Sequence, residues 1–170
     1  MAVGTLSAMK ARIASELARA DLSSQIDNAI ADAIAIYQKE RFRFNETIPG
    51  AEPTFNAITG QTIYTAADNP AIASIYMIDY LNVLIGRTWQ QMSRTTPENI
   101  RLLLQQGTQS GQPVDWAYEG NSLIFYPTPA GTYSILMGGH LLYPAPVDDT
   151  PGNKWMTDGE RLIRSRAKYE

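Results

Sequence analysis

The residue types able to do chemistry are scarce in this chain. Among 170 residues there is one histidine, His140, and no cysteine. Thiol catalysis, disulfide scaffolds and thiolate–metal sites are therefore excluded. A general base needs an orienting partner and a nucleophile within reach. His140 sits in an apolar, strand-like stretch with no nucleophile signature nearby, which suits a structural role or an interface. Asp148-Asp149 is the only adjacent carboxylate pair. Two acids hold a hard cation only when further oxygens converge, and beside Pro151 and Gly152 they read as a solvated loop. Asp115 and Glu119 flank Trp116 in the manner of a glycosidase acid pair, but that spacing along one strand is common. Gly131, Gly138 and Gly139 lack the strand–loop–lysine–helix context of a phosphate loop. No catalytic set, metal or cofactor is expected.

The elements that would position any site fall into three parts. The first 45 residues hold no proline and one glycine, Gly4. Leu6, Met9, Ile13, Leu17 and Ala20 recur every three or four residues and predict one helix. Asp21-Leu22-Ser23-Ser24 offers N-cap oxygens for a second helix. That helix carries a stripe of Ile26, Ile30, Ala33, Ile34 and Tyr37 and runs to about Phe44. The short link predicts a helical hairpin over residues 1–46.

From residue 47 to 150, prolines and glycines cut the chain into short strand-like pieces. These are Thr54–Ile58, Thr62–Thr65, Ile72–Ile85 and Thr88–Met92, with a turn or bulge signalled at Asp79 and Asn82, so that the run Ile75–Ile85 reads as a strand pair or a bent strand. One helix, 96–106, is inserted: Thr96 caps it, Pro97 opens it and Gly107 ends it. Trp116–Tyr118 and Leu123–Tyr126 around Gly120-Asn121 predict a hairpin with a primed turn. Tyr133–Tyr143 predicts a further strand. Thr157-Asp158-Gly159-Glu160 resembles a capping box for a C-terminal helix within 154–170. The fold class is α+β: an N-terminal helical hairpin, a small, mostly antiparallel β-sandwich or barrel, and a C-terminal helix, read together as a single domain.

Charge narrows the classes of partner. Charged residues are 18% of the chain and the net charge is −3, whereas a dedicated nucleic-acid binder is usually basic. No apolar run reaches the ~18 residues of a membrane span, and no leader pattern opens the chain, so a protein made in a reducing compartment and away from membranes is expected. Lys39, Arg41 and Arg43 follow the second helix, where they suit its dipole. Arg161, Arg164, Arg166 and Lys168 load the terminal helix with locally unbalanced positive charge, which suits a solvated face and a partner surface about equally. Nine Tyr and three Trp supply side chains with apolar bodies and polar tips.

Several segments together form a recognisable pattern. Thr5-Leu6 opens a helix, and Gln25-Ile26-Asp27-Asn28-Ala29-Ile30 leads to Tyr37-Gln38-Lys39-Glu40-Arg41-Phe42-Arg43-Phe44-Asn45-Glu46. Gly60-Gln61-Thr62-Ile63-Tyr64 follows, and later Gly120-Asn121-Ser122-Leu123-Ile124-Phe125-Tyr126-Pro127-Thr128-Pro129 and Tyr133. Over nearly its whole length the chain resembles the adaptor (head-to-tail connector) proteins of tailed bacteriophages. The resemblance implies a structural virion protein made in the host cytoplasm. It implies a homo-oligomeric ring, similar to a twelvefold collar, beneath the portal protein, with its far side offered to a downstream tail or neck protein. Packaged DNA would pass through the lumen without specific binding.

On this reading the portal contact is expected at Arg161, Leu162, Ile163, Arg164, Arg166 and Lys168. The ring contact is expected at Tyr37, Arg41, Phe42 and Phe44. The rivals are a stopper or tail-completion protein, a virion-associated polysaccharide hydrolase using Asp115 and Glu119, and a carbohydrate-binding β domain using Trp89, Trp116 or Trp155.

Overall fold

A computed structural model describes residues 4–107 and 109–169. In chain order the elements begin with α1 (Leu6–Leu17), α2 (Ser23–Tyr37), a 3-10 turn (Arg43–Asn45), β1 (Thr54–Ala57), β2 (Ile63–Tyr64), α3 (Ala71–Ser74), β3 (Ile75–Ile85) and β4 (Thr88–Gln91). They continue with β5 (Ser93–Arg94), α4 (Pro97–Gln105), β6 (Ser110–Gly111), β7 (Asp115–Glu119), β8 (Ser122–Tyr126), β9 (Thr128–Pro129), β10 (Tyr133–Leu141), α5 (Lys154–Thr157) and α6 (Glu160–Ala167). The fold is α+β. Two compact units result: Met1–Asn45 with Leu142–Glu170, and Glu46–Leu141. No helix among the described residues is long and apolar enough to cross a membrane.

The first unit is helical. Thr5 caps α1 by accepting from the Ala8 amide at 3.2 Å. Asp149 also accepts from the Ser7 amide at 2.7 Å, where the helix leaves its first N–H groups unpaired. Met9 and Ile13 of α1 and Ile26, Ile30, Ala33 and Ile34 of α2 are buried together with Trp155, Met156, Ile163 and Ala167. The apolar stripes therefore meet a third partner, the C-terminal segment.

Three helix boundaries differ from the sequence reading. Leu22, not a polar side chain, stands at the α2 N-cap, because both Asp21 oxygens are held by Arg19 at 2.7 Å. Helix α2 ends at Tyr37 rather than near Phe44. There the Asn45 side chain accepts from the Phe42 amide at 2.7 Å and donates to the Glu40 carbonyl at 3.0 Å, offering the backbone an alternative to the helix. The Thr157–Glu160 capping box does not form. Thr157 bonds back to the Asn153 carbonyl at 3.3 Å, and α6 starts at Glu160 with Gly159 at its N-cap and no side-chain cap. A Cβ on Gly159 would lie 2.9 Å from the Trp155 ring, so close packing decides that position.

The second unit is a β-sandwich. One sheet has strand order β1-β10-β3-β4 and is antiparallel throughout. The other has order β2-β8-β7-β5, with the short β5 parallel to β7. Parallel β6 and β9 form a small third sheet. Phe55, Tyr64, Leu81, Val83, Trp116, Phe125, Ile135 and Met137 fill the space between the two main sheets. Ile100 of α4 packs on Ala117, Ile124 and Tyr126, so α4 covers the far face of the second sheet.

The predicted primed turn is present, with φ of 55° at Gly120 and 60° at Asn121. Of the two readings of the run Ile75–Ile85, the single strand with a bulge is the one found: it is one 11-residue strand, preceded by the short helix α3. Register shifts in β10 pairing leave Asp79 unmatched between Ile78 and Tyr80, a bulge, whereas Asn82 pairs regularly with Leu136 and Gln91.

Candidate functional site

The most distinctive sequence block, Tyr37 to Glu46, builds an aromatic cluster. Phe42 and Phe44 stack at 5.4 Å between ring centroids, and both meet the Trp155 ring edge-on, at 6.2 and 5.1 Å. Tyr37 lies edge-on to Phe42 at 6.2 Å. The Trp155 indole N–H is satisfied by the Tyr143 carbonyl at 2.8 Å. Asn45, fully buried, holds the turn that presents the two phenylalanines. Of the four residues expected at a ring contact, Tyr37, Phe42 and Phe44 are thus half-buried in their own unit, and only Arg41 is exposed.

The second distinctive block is also architectural. The buried Tyr64 hydroxyl accepts from the Ile58 amide at 3.1 Å and donates to the Gln61 carbonyl at 2.7 Å. It ties down the Ile58–Gln61 turn, which passes through Gly60 at φ 81°. Burial pushes the Tyr64 phenol up from its ordinary value. Sequence patterning marks Gly60 and Tyr64 together, but not that one bonds the other's turn.

Helix α6 carries the basic residues expected to meet a portal. Ile163 and Ala167 face inward and are buried against α1 and α2. Arg164 and Lys168 reach opposite oxygens of Glu16 on α1, each at 2.7 Å. The Lys168 ammonium, donating to Glu16, holds that carboxyl below the ordinary range, aided by the charges of Arg164 and Arg12. Arg12 in turn pairs with Glu160. Arg166 lies 5.5 Å above the Tyr37 ring, a cation–π contact.

What remains outward is Arg161 and Ser165, with Leu162 half-buried. With Asp158, Arg164 and Lys168 they line an open depression of about 570 Å³. The helix therefore folds back on the hairpin in the free chain. Ile163 is committed to the core and is not available as an outward anchor.

The residues weighed for chemistry are dispersed. His140 is buried in β10, with its ring 5.3 Å from Tyr76. Asp149 is engaged at the start of α1, and Ser7 holds its carboxyl below the ordinary range. Asp148 caps its own loop through the Thr150 amide at 2.8 Å. Glu119 pairs with Arg101 of α4. Asp115 stands four residues away along the same strand, roughly 13 Å at ~3.3 Å per residue, beyond the ~5–9.5 Å of glycosidase carboxylates. Trp116 and Trp155 are buried, and of the three tryptophans only Trp89 is exposed, so no coplanar aromatic platform forms from them. Among the described residues no group of acids or histidine could hold a metal.

No curated protein matches the sequence. A family model described as SU10 adaptor protein matches residues 4–166. The chain belongs to the SU10 adaptor protein family, a phage head–tail adaptor family of structural virion proteins.

Proposed function

We propose that this protein is a neck adaptor: a closed ring that docks beneath the portal, continues the DNA channel and receives the next tail component. The family match over residues 4–166 carries this reading. Several carboxylates are engaged in caps and ion pairs, Asp149 at the start of α1, Glu16 with Lys168 and Arg164, and Glu119 with Arg101, which is consistent with a structural role. The ring would be similar to a twelvefold collar and match the portal in copy number. The exposed part of α6, Arg161 with Leu162 beside it, is the portal-facing surface. There guanidinium groups can fork onto carboxylates of the portal. Arg164, Arg166 and Lys168 support that surface from their intramolecular contacts. Arg41, exposed after α2, belongs to the surface between copies.

The charge distribution supports a channel role. Residues 46–141 hold three Lys or Arg against seven Asp or Glu, so the β unit is the acidic part of the chain. A wall that repels phosphates lets a duplex slide, since each neutralised phosphate adds salt-sensitive affinity. The test is native mass measurement of the purified protein mixed with its cognate portal. A complex with as many adaptor copies as portal subunits is expected. A complex holding single adaptor copies, or no complex, contradicts the reading.

A further inference from the structure

We propose that neighbouring copies join by strand pairing, the free edge of β4 in one copy lying antiparallel to the free edge of β1 in the next. This rests on the ring reading above and specifies its contact. The sheet β1-β10-β3-β4 is antiparallel at every step, so its two edge strands run in opposite directions. Repeating the sheet head to tail therefore sets β4 antiparallel to the next copy's β1, as a heterologous ring requires.

Strand β4 has none of the usual guards of an exposed edge. Its four residues, Thr88, Trp89, Gln90 and Gln91, are all exposed and include no charge and no proline. Natural sheets blunt a solvent-facing edge with Lys, Pro or a bulge, because unpaired N–H and C=O groups template further pairing. An unguarded edge suits one that is covered in the assembled state.

The hydrogen-bond parity of the two edges matches. In an antiparallel pair, every second residue turns its backbone groups away from its partner. The Met92 amide donates to the Leu81 carbonyl at 2.8 Å, so Trp89 and Gln91 point their N–H and C=O outward. On the opposite edge the Met137 amide donates to the Pro53 carbonyl at 2.9 Å, so Thr54 and Asn56 point outward. The Asn69 side chain already donates to the Thr54 carbonyl at 2.9 Å, which leaves that oxygen one further lone pair. Strands β1 and β4 are both four residues long. Aligning them end to end sets Trp89 opposite Asn56 and Gln91 opposite Thr54, so outward groups meet outward groups along the whole overlap. A four-residue edge is small, so this contact sets register and closure while other surfaces add area.

The cysteine-free chain makes the test direct. Residues opposite one another in a hydrogen-bonded pair lie ~5.5 Å apart at Cα, within the range a disulfide spans. The full chain carrying Thr54→Cys and Gln91→Cys, both at exposed positions, should oxidise to a ladder of covalent oligomers, and each single variant should not. A second variant, Gln91→Pro, removes an outward N–H at a position where an edge strand tolerates proline. It should fold, with an unchanged circular dichroism spectrum, and self-associate about tenfold more weakly or worse. No ladder at concentrations where sedimentation shows oligomers overturns edge pairing and leaves the ring standing. A dimer from Gln90→Cys alone, with no ladder, would mean twofold β4–β4 pairing and also overturns it. No oligomer, even with portal present, removes the ring and the pairing together.

Discussion

Asn45 illustrates how one polar side chain can set the local chain path. It is fully buried, and its amide satisfies both a donor and an acceptor of the 40–45 turn. Asn45→Ala leaves those backbone groups without their partner, so about 1–3 kcal/mol of stability should be lost, read by urea denaturation. Glu16 acts through charge instead. Its carboxyl is held below the ordinary value, first by the hydrogen bond from Lys168. A depressed carboxyl contributes stability above its unfolded value of about 4.3, and that contribution fades as pH falls through the lower folded value. Glu16→Gln should weaken the protein near neutrality and flatten its acid denaturation profile, followed by circular dichroism across pH 2–7 (a range of about five units around the carboxylate value). An unchanged profile would show that Glu16 is not coupled to folding. Neither partner of these contacts is evident from sequence spacing, since Glu16 and Lys168 lie at opposite ends of the chain.

At the scale of elements, legibility followed how local the signal was. The Gly120-Asn121 hairpin and the Thr96-Pro97 helix start were readable because turn and cap chemistry sit within four residues. The stop of α2 at Tyr37 was not, because the Asn45 bonds that turn the chain there follow no cap or turn signature, and the Trp155 ring that Phe42 and Phe44 meet lies more than a hundred residues on. The α6 start failed as a capping box because Gly159 was needed for contact with Trp155. Strand β10 gives a local test of close packing. A Cβ on Gly139 would lie 2.1 Å from the Met77 carbonyl oxygen, a backbone atom, whereas one on Gly138 meets only the ring end of Tyr80. Gly139→Ala should therefore cost more than Gly138→Ala, about 1–3 kcal/mol or above for the former, measured by thermal denaturation. Equal costs would contradict that packing.

Helix α6 calls for a gentle probe. Removing it after Asp158 would uncover the buried face that receives Ile163 and Ala167, so truncation confuses folding with docking. Arg161→Glu changes an exposed charge on the outer side of the helix. It should leave the melting temperature within about 2 °C, as surface changes within ±0.5 kcal/mol do. Binding to the portal, measured by surface plasmon resonance, should weaken at least about tenfold if a desolvated Arg–carboxylate pair forms there. Unchanged affinity would move the portal contact off α6.

At the scale of the whole molecule, family membership and charge were the readable properties. The α+β class followed from composition and punctuation. The site residues were harder, because aromatic and basic side chains serve a core or an interface with the same spacing. Tyr37, Phe42 and Phe44 turned out to be packed within their own unit. With the β unit acidic, the protein should show at most weak, sequence-independent affinity for duplex DNA. Fluorescence anisotropy at physiological salt should give a dissociation constant no tighter than the ~10⁻⁴–10⁻⁶ M of non-specific binding. The most direct measurement is a cryo-electron microscopy map of the virion neck with this chain traced in it. A closed ring of this protein is expected directly under the portal, its lumen continuous with the portal channel. Density for the chain elsewhere in the particle, or as isolated copies that form no ring, would contradict it.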